Sequence, residues 1–347
     1  MSENKIISDP RIDPRIKDKF KNIDIEYKPP NEISREDIMS RQNSDSPKIK
    51  LELDEYERLL NDPAFDEAVS FEGLTMETLE IKSQPDGNNI KLLNIRPDND
   101  NILPCVYYIH GGGMEIGSCF ERMYQAFARL IAHQDISVIL VDFRNARVPS
   151  SVPEVAPFPA GLNDCISGFN YIKENYNSLK IDTQKIVIAG ESGGGNLTIA
   201  TGMKISKDGR ANEIKGLYAL CPYIAGIWPL PENPSSEENN GILLDLHNNH
   251  GAMVYGIEEL EKRNPLAWPG FATVDDVKDF PSTFISVNEC DPLRDEGINF
   301  YRLLRKAGVE AQCRVLTGTI HATEVFVTVC PEVSTETARS IAGFCQE

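Results

Sequence analysis

The chain has 347 residues, and its 53 acidic against 35 basic side chains give a formal net charge of −18 at pH 7. This acidic surplus argues against nucleic acid or an anionic membrane as a partner, because both require basic surfaces. The sequence has no apolar leader at its start and no apolar run of about 18 residues, so it predicts a cytoplasmic protein without a transmembrane helix.

The first hundred residues predict short helices followed by a β-hairpin. Residues 1–50 are polar and weakly periodic, with one short helix that Ser34 would cap. A second short helix is predicted over 54–60. The segments 75–81 and 89–95 flank a Pro-Asp-Gly turn, which predicts an antiparallel hairpin at the edge of a sheet.

Strand and helix patterns alternate from residue 104 to residue 221, which implies a mostly parallel sheet with right-handed crossovers. The alternation fails between residues 223 and 280, where prolines and a Ser-Ser-Glu-Glu-Asn-Asn run predict an insertion over the sheet. Helices are predicted over about 121–134, 161–177, 193–207 and 334–344.

The apolar strand over 104–109 ends in His110-Gly111-Gly112-Gly113. Glycines let backbone N–H groups approach an oxyanion closely, so this turn predicts an oxyanion hole with Gly112 and Gly113 as donors and Gly111 as an alternate. A phosphate-binding loop is the competing interpretation. It is disfavoured because neither Gly-Lys-Ser/Thr nor Gly-x-Gly-x-x-Gly spacing is present.

A second strand runs directly into Gly190-Glu191-Ser192-Gly193-Gly194, and a helical pattern of small residues follows. Strand, Gly-x-Ser-x-Gly and helix together form a nucleophile elbow, in which a serine stands on a sharp turn at the positive end of a helix. Taken alone, the five residues could be a plain turn that caps a helix. With the His-Gly-Gly-Gly turn upstream, they predict Ser192 as a nucleophile and Gly193 as an oxyanion donor.

The general base and the orienting acid should follow the serine in the order acid, then histidine. His321 comes on a loop just past the strand pattern over 311–316, whereas His247 and His250 lie in an irregular polar segment typical of a surface or cap. Asp291 is the first aspartate after the predicted strand over 282–287, with Glu289 as the weaker candidate. The predicted triad is therefore Ser192, Asp291 and His321.

These motifs resemble the hormone-sensitive-lipase family of bacterial carboxylesterases (family IV), with similarity over roughly residues 75–345. The resemblance implies an α/β-hydrolase fold: a mostly parallel central sheet flanked by helices, under a helical cap. It also implies hydrolysis of small-molecule esters without a cofactor or metal, and a possible homodimer. The expected organisation is an N-terminal cap part over 1–50, hydrolase core over 51–222 and 280–347, and a cap insertion over 223–279.

Three departures from the family pattern stand out. Glu191 and Gly193 replace the usual Asp and Ala around the serine, an extra loop follows Arg147 as far as Val155, and Ala322 stands after the base where glycine is common. Gly193 still supplies its N–H, although it could loosen the elbow. The extra loop lies near the site and leaves the natural substrate open.

The predicted activity is hydrolysis of short-acyl esters, since a cap of short helices encloses a modest pocket. Met114, Trp228 and Trp268 are candidate pocket residues, with ordinary packing as the alternative for each. Other acyl-transfer activities on this scaffold stay open, namely those of an amidase, an arylformamidase or an acyltransferase. A non-catalytic small-molecule receptor is a further alternative, disfavoured because all three triad residues are present.

Overall fold

The structure is a computed structural model that describes residues 4–21, 31–43 and 46–347. Within these ranges, eight strands form one sheet in the order β1-β2-β4-β3-β5-β6-β7-β8. β1 and β2 pair antiparallel, as do β2 and β4, and all later neighbours are parallel. The strands are β1 (Leu74–Lys82), β2 (Asn89–Pro97), β3 (Leu103–Ile109), β4 (Ser137–Asp142), β5 (Ile181–Glu191), β6 (Gly216–Leu220), β7 (Ser282–Asn288) and β8 (Ala311–Leu316).

The predicted fold class, a mostly parallel sheet flanked by helices with a hairpin at one edge, is confirmed. The α-helices of the described residues are α1 (Lys5–Ser8), α2 (Pro14–Phe20), α3 (Arg35–Gln42), α4 (Pro47–Leu60), α5 (Ala64–Ala68), α6 (Arg122–Ala132), α7 (Ala160–Glu174), α8 (Tyr176–Leu179), α9 (Gly193–Lys207), α10 (Ser235–Glu238), α11 (His250–Tyr255), α12 (Ile257–Glu261), α13 (Val274–Val277), α14 (Arg294–Lys306) and α15 (Pro331–Gln346). Short 3₁₀ turns lie at Ala211–Glu213, Pro269–Phe271 and Thr323–Val325.

Two of the predicted helices agree closely with the structure, and one begins earlier than predicted. Ser34 caps α3, since its hydroxyl accepts the N–H of Asp37 at 3.1 Å. α9 spans the predicted residues, whereas α4 begins at Pro47 rather than at residue 54. Proline suits the first helical position because the N–H that it lacks would have no partner there.

Two hydrophobic layers cover the faces of the sheet, because successive side chains of a strand point to opposite sides. On β3, Val106 and Tyr108 belong to the layer that includes α6 and α15. Tyr107 and Ile109 belong to the other layer, which includes α7, α9 and α14. Both faces of the central strands are therefore buried, as expected for a parallel sheet.

The predicted insertion between β6 and β7 contains no strand of the sheet, only the short helices α10 to α13, the 3₁₀ turn at Pro269–Phe271 and irregular chain. The division into core and cap segments stays a prediction, and residues 1–3, 22–30 and 44–45 of the N-terminal cap part lie outside the described residues. Among the described helices, none combines the length and the apolar character needed to cross a bilayer.

Candidate active site

Ser192 stands where β5 ends and α9 begins, near the middle of the sheet. Its backbone has φ 56° and ψ −119°, a conformation that costs a non-glycine residue about 1–3 kcal/mol. The turn is tight because the neighbouring backbones almost touch. A Cβ on Gly190 would lie 2.5 Å from the carbonyl oxygen of Ile109 and 2.6 Å from that of Gly194. Glycine at this position is therefore a steric requirement of the elbow.

The loops after β7 and β8 bring the other two predicted residues to the serine. Nε2 of His321 lies 2.9 Å from Oγ of Ser192, and Nδ1 of His321 lies 2.7 Å from Oδ2 of Asp291. The second carboxylate oxygen of Asp291 accepts the N–H of Leu293 at 2.9 Å. All three side chains meet at the carboxyl ends of parallel strands, where α/β sheets place their ligand sites.

The surroundings of His321 act on its pKa in opposite directions. Burial disfavours the imidazolium, but the negative charge and hydrogen bond of Asp291 favour it, and the pKa is raised above its ordinary value. Asp291 is fully buried and His321 is 5 % exposed, so little water screens this interaction. The ring is therefore tuned as a stronger base than a histidine in water.

Glu289, the weaker sequence candidate for the acid, has a different partner. Its Oε2 accepts the N–H of Gly318 at 2.7 Å, in the turn that precedes His321. It supports the loop that carries the histidine and makes no hydrogen bond to the ring.

The His-Gly-Gly-Gly turn lies directly against the elbow. Gly112 and Gly113 have positive φ, at 91° and 63°. A Cβ on Gly193 would come within 2.5 Å of the backbone nitrogen of Met114 and 2.8 Å of that of Gly113. No described residue accepts a hydrogen bond from the N–H groups of Gly112 and Gly113, and Gly193 is the first residue of α9, where the helix supplies no acceptor.

Gly111 differs from the prediction that it could serve as an alternate oxyanion donor. Its N–H donates to Oε1 of Glu191 at 2.6 Å, in the residue before the nucleophile. The donor is therefore already satisfied inside the protein, and three predicted donors remain with free N–H groups.

A cavity of about 440 Å³ opens in front of Ser192. One wall is apolar and is built from α4, α6 and the loop after His321. The polar wall includes Glu115, Arg147, Asn248 and His250. The apolar wall comprises Leu59, Leu60, Met123, Val325 and Phe326.

The polar wall is a network that motif analysis missed, since its members are far apart in the chain. Arg147 bonds Glu115 at 3.2 Å, and Nδ1 of His250 lies 3.1 Å from Oε1 of Glu32. Burial opposes ionisation, yet Arg147 and His250 lower the pKa of Glu115 to about 2. Burial likewise lowers the pKa of His250, but Glu115 and Glu32 outweigh it and raise the pKa above its ordinary value. His250, predicted as a surface or cap residue, thus faces the site.

A second cavity of about 620 Å³ lies beside the first. Leu53, Tyr56 and Ile116 line both cavities and form the wall between them. Residues 148–151 of the extra loop line this second cavity and not the catalytic one. The hydroxyl of Tyr56 lies over the turn formed by residues 110–113, named the oxyanion turn after its predicted role, and is 3.1 Å from where a Cβ of Gly112 would be.

Met114, Trp228 and Trp268 do not line the catalytic cavity; the packing interpretation applies to all three. They are buried in the same hydrophobic layer. The two tryptophans cross edge to face, with ring centroids 6.4 Å apart, and Tyr223 stacks on Trp228 at 4.7 Å. Tyr223 reaches the cavity from this aromatic cluster.

Among the described residues, one cluster has the side chains and spacing of a possible metal site: Cys221, Asp291 and His321, with ligand atoms within 4.8 Å of one another. The last two are already joined to each other and to Ser192. Burial raises the pKa of the Cys221 thiol well above its usual range, whereas metals bind the thiolate. The cluster fits an acid and base acting on a serine better than a metal centre.

A mostly parallel sheet that holds a serine elbow, an acid and a histidine at its carboxyl edge defines an α/β-hydrolase architecture. The chain belongs to that family: the family model described as alpha/beta hydrolase fold matches residues 106–325.

Solved structures extend the match to almost the whole chain. The structure of esterase Est22 is 55 % identical with a TM-score of 0.96, covering 99 % of this chain and 100 % of that one. Brefeldin A esterase, described as a bacterial homologue of human hormone-sensitive lipase, is 31 % identical with a TM-score of 0.87, covering 98 % and 94 %.

Proteins of similar sequence are also described as esterases. An arylesterase of Saccharolobus solfataricus is 30 % identical over 221 residues, covering 62 % of this chain and 67 % of the relative. The carboxylesterase NlhH of Mycobacterium tuberculosis is 28 % identical over 243 residues, covering 70 % and 73 %. The predicted membership of the hormone-sensitive-lipase group and the predicted class, carboxylic ester hydrolase, are confirmed.

Proposed function

We propose that the chain hydrolyses small esters through an acyl-enzyme on Ser192, with His321 as general base and Asp291 as the orienting acid. The observation that carries the proposal is the continuous pair of hydrogen bonds from Ser192 Oγ through His321 to Asp291, at 2.9 and 2.7 Å, facing a cavity. Free backbone N–H groups lie beside Ser192, so the nucleophile, the base and the oxyanion donors are all within reach of one ester carbonyl.

In the first step, Nε2 of His321 takes the proton of Ser192 as the oxygen attacks the ester carbonyl carbon. Asp291 holds the Nδ1–H and stabilises the imidazolium. The N–H groups of Gly112, Gly113 and Gly193 donate to the oxyanion of the tetrahedral intermediate. His321 then returns the proton to the leaving alcohol, and the ester bond breaks to leave the acyl group on Ser192.

In the second step, water takes the place of the alcohol. His321 removes a proton from the water as it attacks the acyl carbonyl, and the same donors hold the second oxyanion. Collapse returns the proton to Ser192 and releases the carboxylic acid. No group outside these side chains, the backbone donors and water takes part.

We expect short acyl chains, because a cavity of about 440 Å³ has to hold both the acyl and the alcohol part of the ester. A structure of Est22 contains p-nitrophenol, which makes p-nitrophenyl esters suitable assay substrates. The homodimer and the cytoplasmic location stay predictions from the sequence.

Replacing the nucleophile tests the proposal. Ser192→Ala removes the attacking oxygen while it leaves the fold intact, and turnover of p-nitrophenyl acetate should fall by about 10³-fold or more. Circular dichroism and thermal unfolding close to those of the parent chain serve as controls. Residual turnover within tenfold of the parent would contradict the assignment.

A matched pair of variants tests the acid. Asp291→Asn leaves the hydrogen-bonding shape but favours the wrong histidine tautomer, which should reduce kcat by about 10⁴-fold. Glu289→Gln changes a nearby carboxylate that contacts only the loop, and it should leave kcat within a few-fold of the parent. The reverse ranking would assign the acid role to Glu289.

A series of p-nitrophenyl esters from acetate to palmitate tests the substrate class. kcat/KM should be highest for acyl chains of roughly two to six carbons, the size that the cavity holds beside a nitrophenyl group. A maximum at long chains would contradict the small-ester proposal without affecting the triad.

A further inference from the structure

Glu191 precedes the nucleophile, and the mechanism above gives it no role. Its side chain is 2 % exposed, although it carries a carboxylate. Burying a carboxylate in a protein is costly unless hydrogen-bond donors surround it. The donors around Glu191 therefore indicate what this carboxylate holds in place.

The donors come from the two elements that flank the elbow. The N–H of Gly111, in the oxyanion turn, donates to Oε1 at 2.6 Å. The hydroxyl of Tyr108, near the end of β3, donates to Oε2 at 2.5 Å. Gly111 packs so closely on Glu191 that a Cβ there would overlap Oε1.

The bond to Gly111 acts on the residues that come next. Gly112 and Gly113 have positive φ and free N–H groups. The carbonyl of Gly112 accepts the N–H groups of Glu115 and Ile116, which closes the turn on its far side, so the bond from Gly111 to Glu191 is the hydrogen bond that ties the turn to the elbow. Since Glu191 adjoins Ser192 in the chain, a bond from its side chain to Gly111 ties the turn directly to the nucleophile. Donors fixed before the reaction stabilise an oxyanion best.

We propose that Glu191 is a positioning residue: its carboxylate holds the oxyanion turn in register with Ser192 and supplies negative charge that supports the imidazolium of His321. This inference rests on the proposed function of Ser192 and His321. It gives the buried glutamate two separable contributions, a hydrogen bond to Gly111 and a charge near the base.

The charge state of Glu191 follows from its neighbours. Burial raises its pKa to about 7, against the opposing effect of its donors. Apart from His321, whose own pKa is raised, the groups that interact with its charge are neutral near that pH. Burial raises the pKa of Glu121 to about 8 and those of four further groups well above their usual ranges: Tyr56 on α4, Tyr108 on β3, Tyr124 on α6 and Cys221 after β6. Glu191 is therefore ionised at mildly alkaline pH, and its charge also raises the pKa of His321.

Two variants separate the hydrogen bond from the charge. Glu191→Gln keeps the shape and an oxygen for Gly111 but removes the charge. Its kcat at mildly alkaline pH should stay within about tenfold of the parent. The acidic limb of kcat/KM should move to lower pH by up to about one unit, because the imidazolium of His321 loses the stabilising negative charge of Glu191. Glu191→Met has similar length and no acceptor, and it should reduce kcat about 10- to 100-fold while KM changes less.

Glu296 offers a matched control. It is also a buried glutamate whose pKa burial raises to about 8, but its carboxylate accepts the N–H groups of Ile224 and Ala225 and the indole of Trp228, away from the oxyanion turn. Glu296→Gln should change the melting temperature about as much as Glu191→Gln does. It should move the acidic limb less than Glu191→Gln does, because the charge of Glu296 acts on Asp291 and not on the ring of His321.

p-Nitrophenyl acetate kinetics across about pH 5–9 and thermal unfolding are measured for all variants, with Ser192→Ala beside them. An unmoved acidic limb in Glu191→Gln, or kcat of Glu191→Met within twofold of the parent, overturns the inference. If Ser192→Ala retains turnover, the proposed function itself fails, which is a distinguishable result. Equal limb shifts in Glu191→Gln and Glu296→Gln would also overturn it, because the effect would then be general to buried glutamates.

Discussion

Gly193 shows how one missing methyl group shapes the catalytic centre. The sequence suggests that glycine in place of the family's alanine could loosen the elbow. In the structure, a Cβ at this position would meet backbone atoms of Gly113 and Met114 rather than a movable side chain. The glycine therefore lets the oxyanion turn approach the first turn of α9 closely.

Gly193→Ala is expected to reduce kcat about 10²-fold, because the turn has to retreat and its donors lose their alignment with the oxyanion. The measurement is kcat for p-nitrophenyl acetate with a parallel melting curve. Gly343→Ala is the control: this glycine lies in α15 with open space around it, so the change should add about 0.5–1 kcal/mol of stability and leave kcat unchanged. A fully active Gly193→Ala variant would contradict the steric argument.

Activity should depend on pH through His321. The base acts as neutral imidazole, so kcat/KM rises as the proton leaves. Burial lowers the pKa of the ring, but Asp291 outweighs it and raises the pKa, and the rise in kcat/KM should therefore have its midpoint above 6.5, the ordinary histidine value. A pH profile of kcat/KM checks this, and a midpoint below 6.5 would show that burial dominates over Asp291.

At the scale of single residues, motif order predicts the site well and its surroundings poorly. Ser192, Asp291 and His321 are far apart in the chain, yet their order and their places after strands bring them within hydrogen-bond distance. No local motif marks Arg147 and His250 as site residues. They line the cavity only because distant segments of the chain pack together there. The bond between Gly111 and Glu191 is equally invisible, since it depends on a rotamer.

At the scale of elements, α4 sets the size of the cavity. The sequence predicts its second half as a short helix without a role. In the structure, its residues Leu53 and Tyr56 separate the catalytic cavity from the neighbouring one. α4 lies far from the motifs in the chain. The pattern of its own residues does not indicate that it packs against the oxyanion turn.

Tyr56→Ala should join the two cavities and admit longer acyl chains. We expect the ratio of kcat/KM for p-nitrophenyl octanoate to that for the acetate to rise about tenfold, since the neighbouring cavity adds space of about 620 Å³. Tyr56→Phe keeps the ring and is the matched control, with a ratio near that of the parent. An unchanged ratio in Tyr56→Ala would mean that the wall is formed by other residues.

At the scale of the whole molecule, the alternating pattern is enough to predict the mostly parallel sheet and its antiparallel edge. What it leaves out is how the N-terminal helices attach. α1 and α2 contribute Ile6, Ile16 and Phe20 to the hydrophobic layer that contains Phe326. Phe20 meets Phe326 edge to face at 5.6 Å. Their polar, weakly periodic sequence gave no indication of this partner.

Phe20→Ala tests the coupling of this attachment to the site. Removing a fully buried ring should lower the free energy of unfolding by about 3–5 kcal/mol. Because Phe326 belongs to the loop after His321 and lines the cavity, kcat should fall as well. Chemical denaturation and kinetics on the folded variant are the measurements. Loss of stability with unchanged kcat would show that the loop keeps its shape without this support.

The attachment of α2 also sets an order of events during synthesis. The N–H of Asp13 donates to the carbonyl of Gly318 at 2.9 Å, and Arg15 pairs with Glu332, 317 positions further along the chain. A chain that leaves the ribosome residue by residue exposes the apolar side of α2 long before its partner exists. Contacts between such distant segments form slowly, because a long loop has to close first. We therefore expect the catalytic loop to reach its final shape late, and the nascent chain to be inactive while most of it is already made.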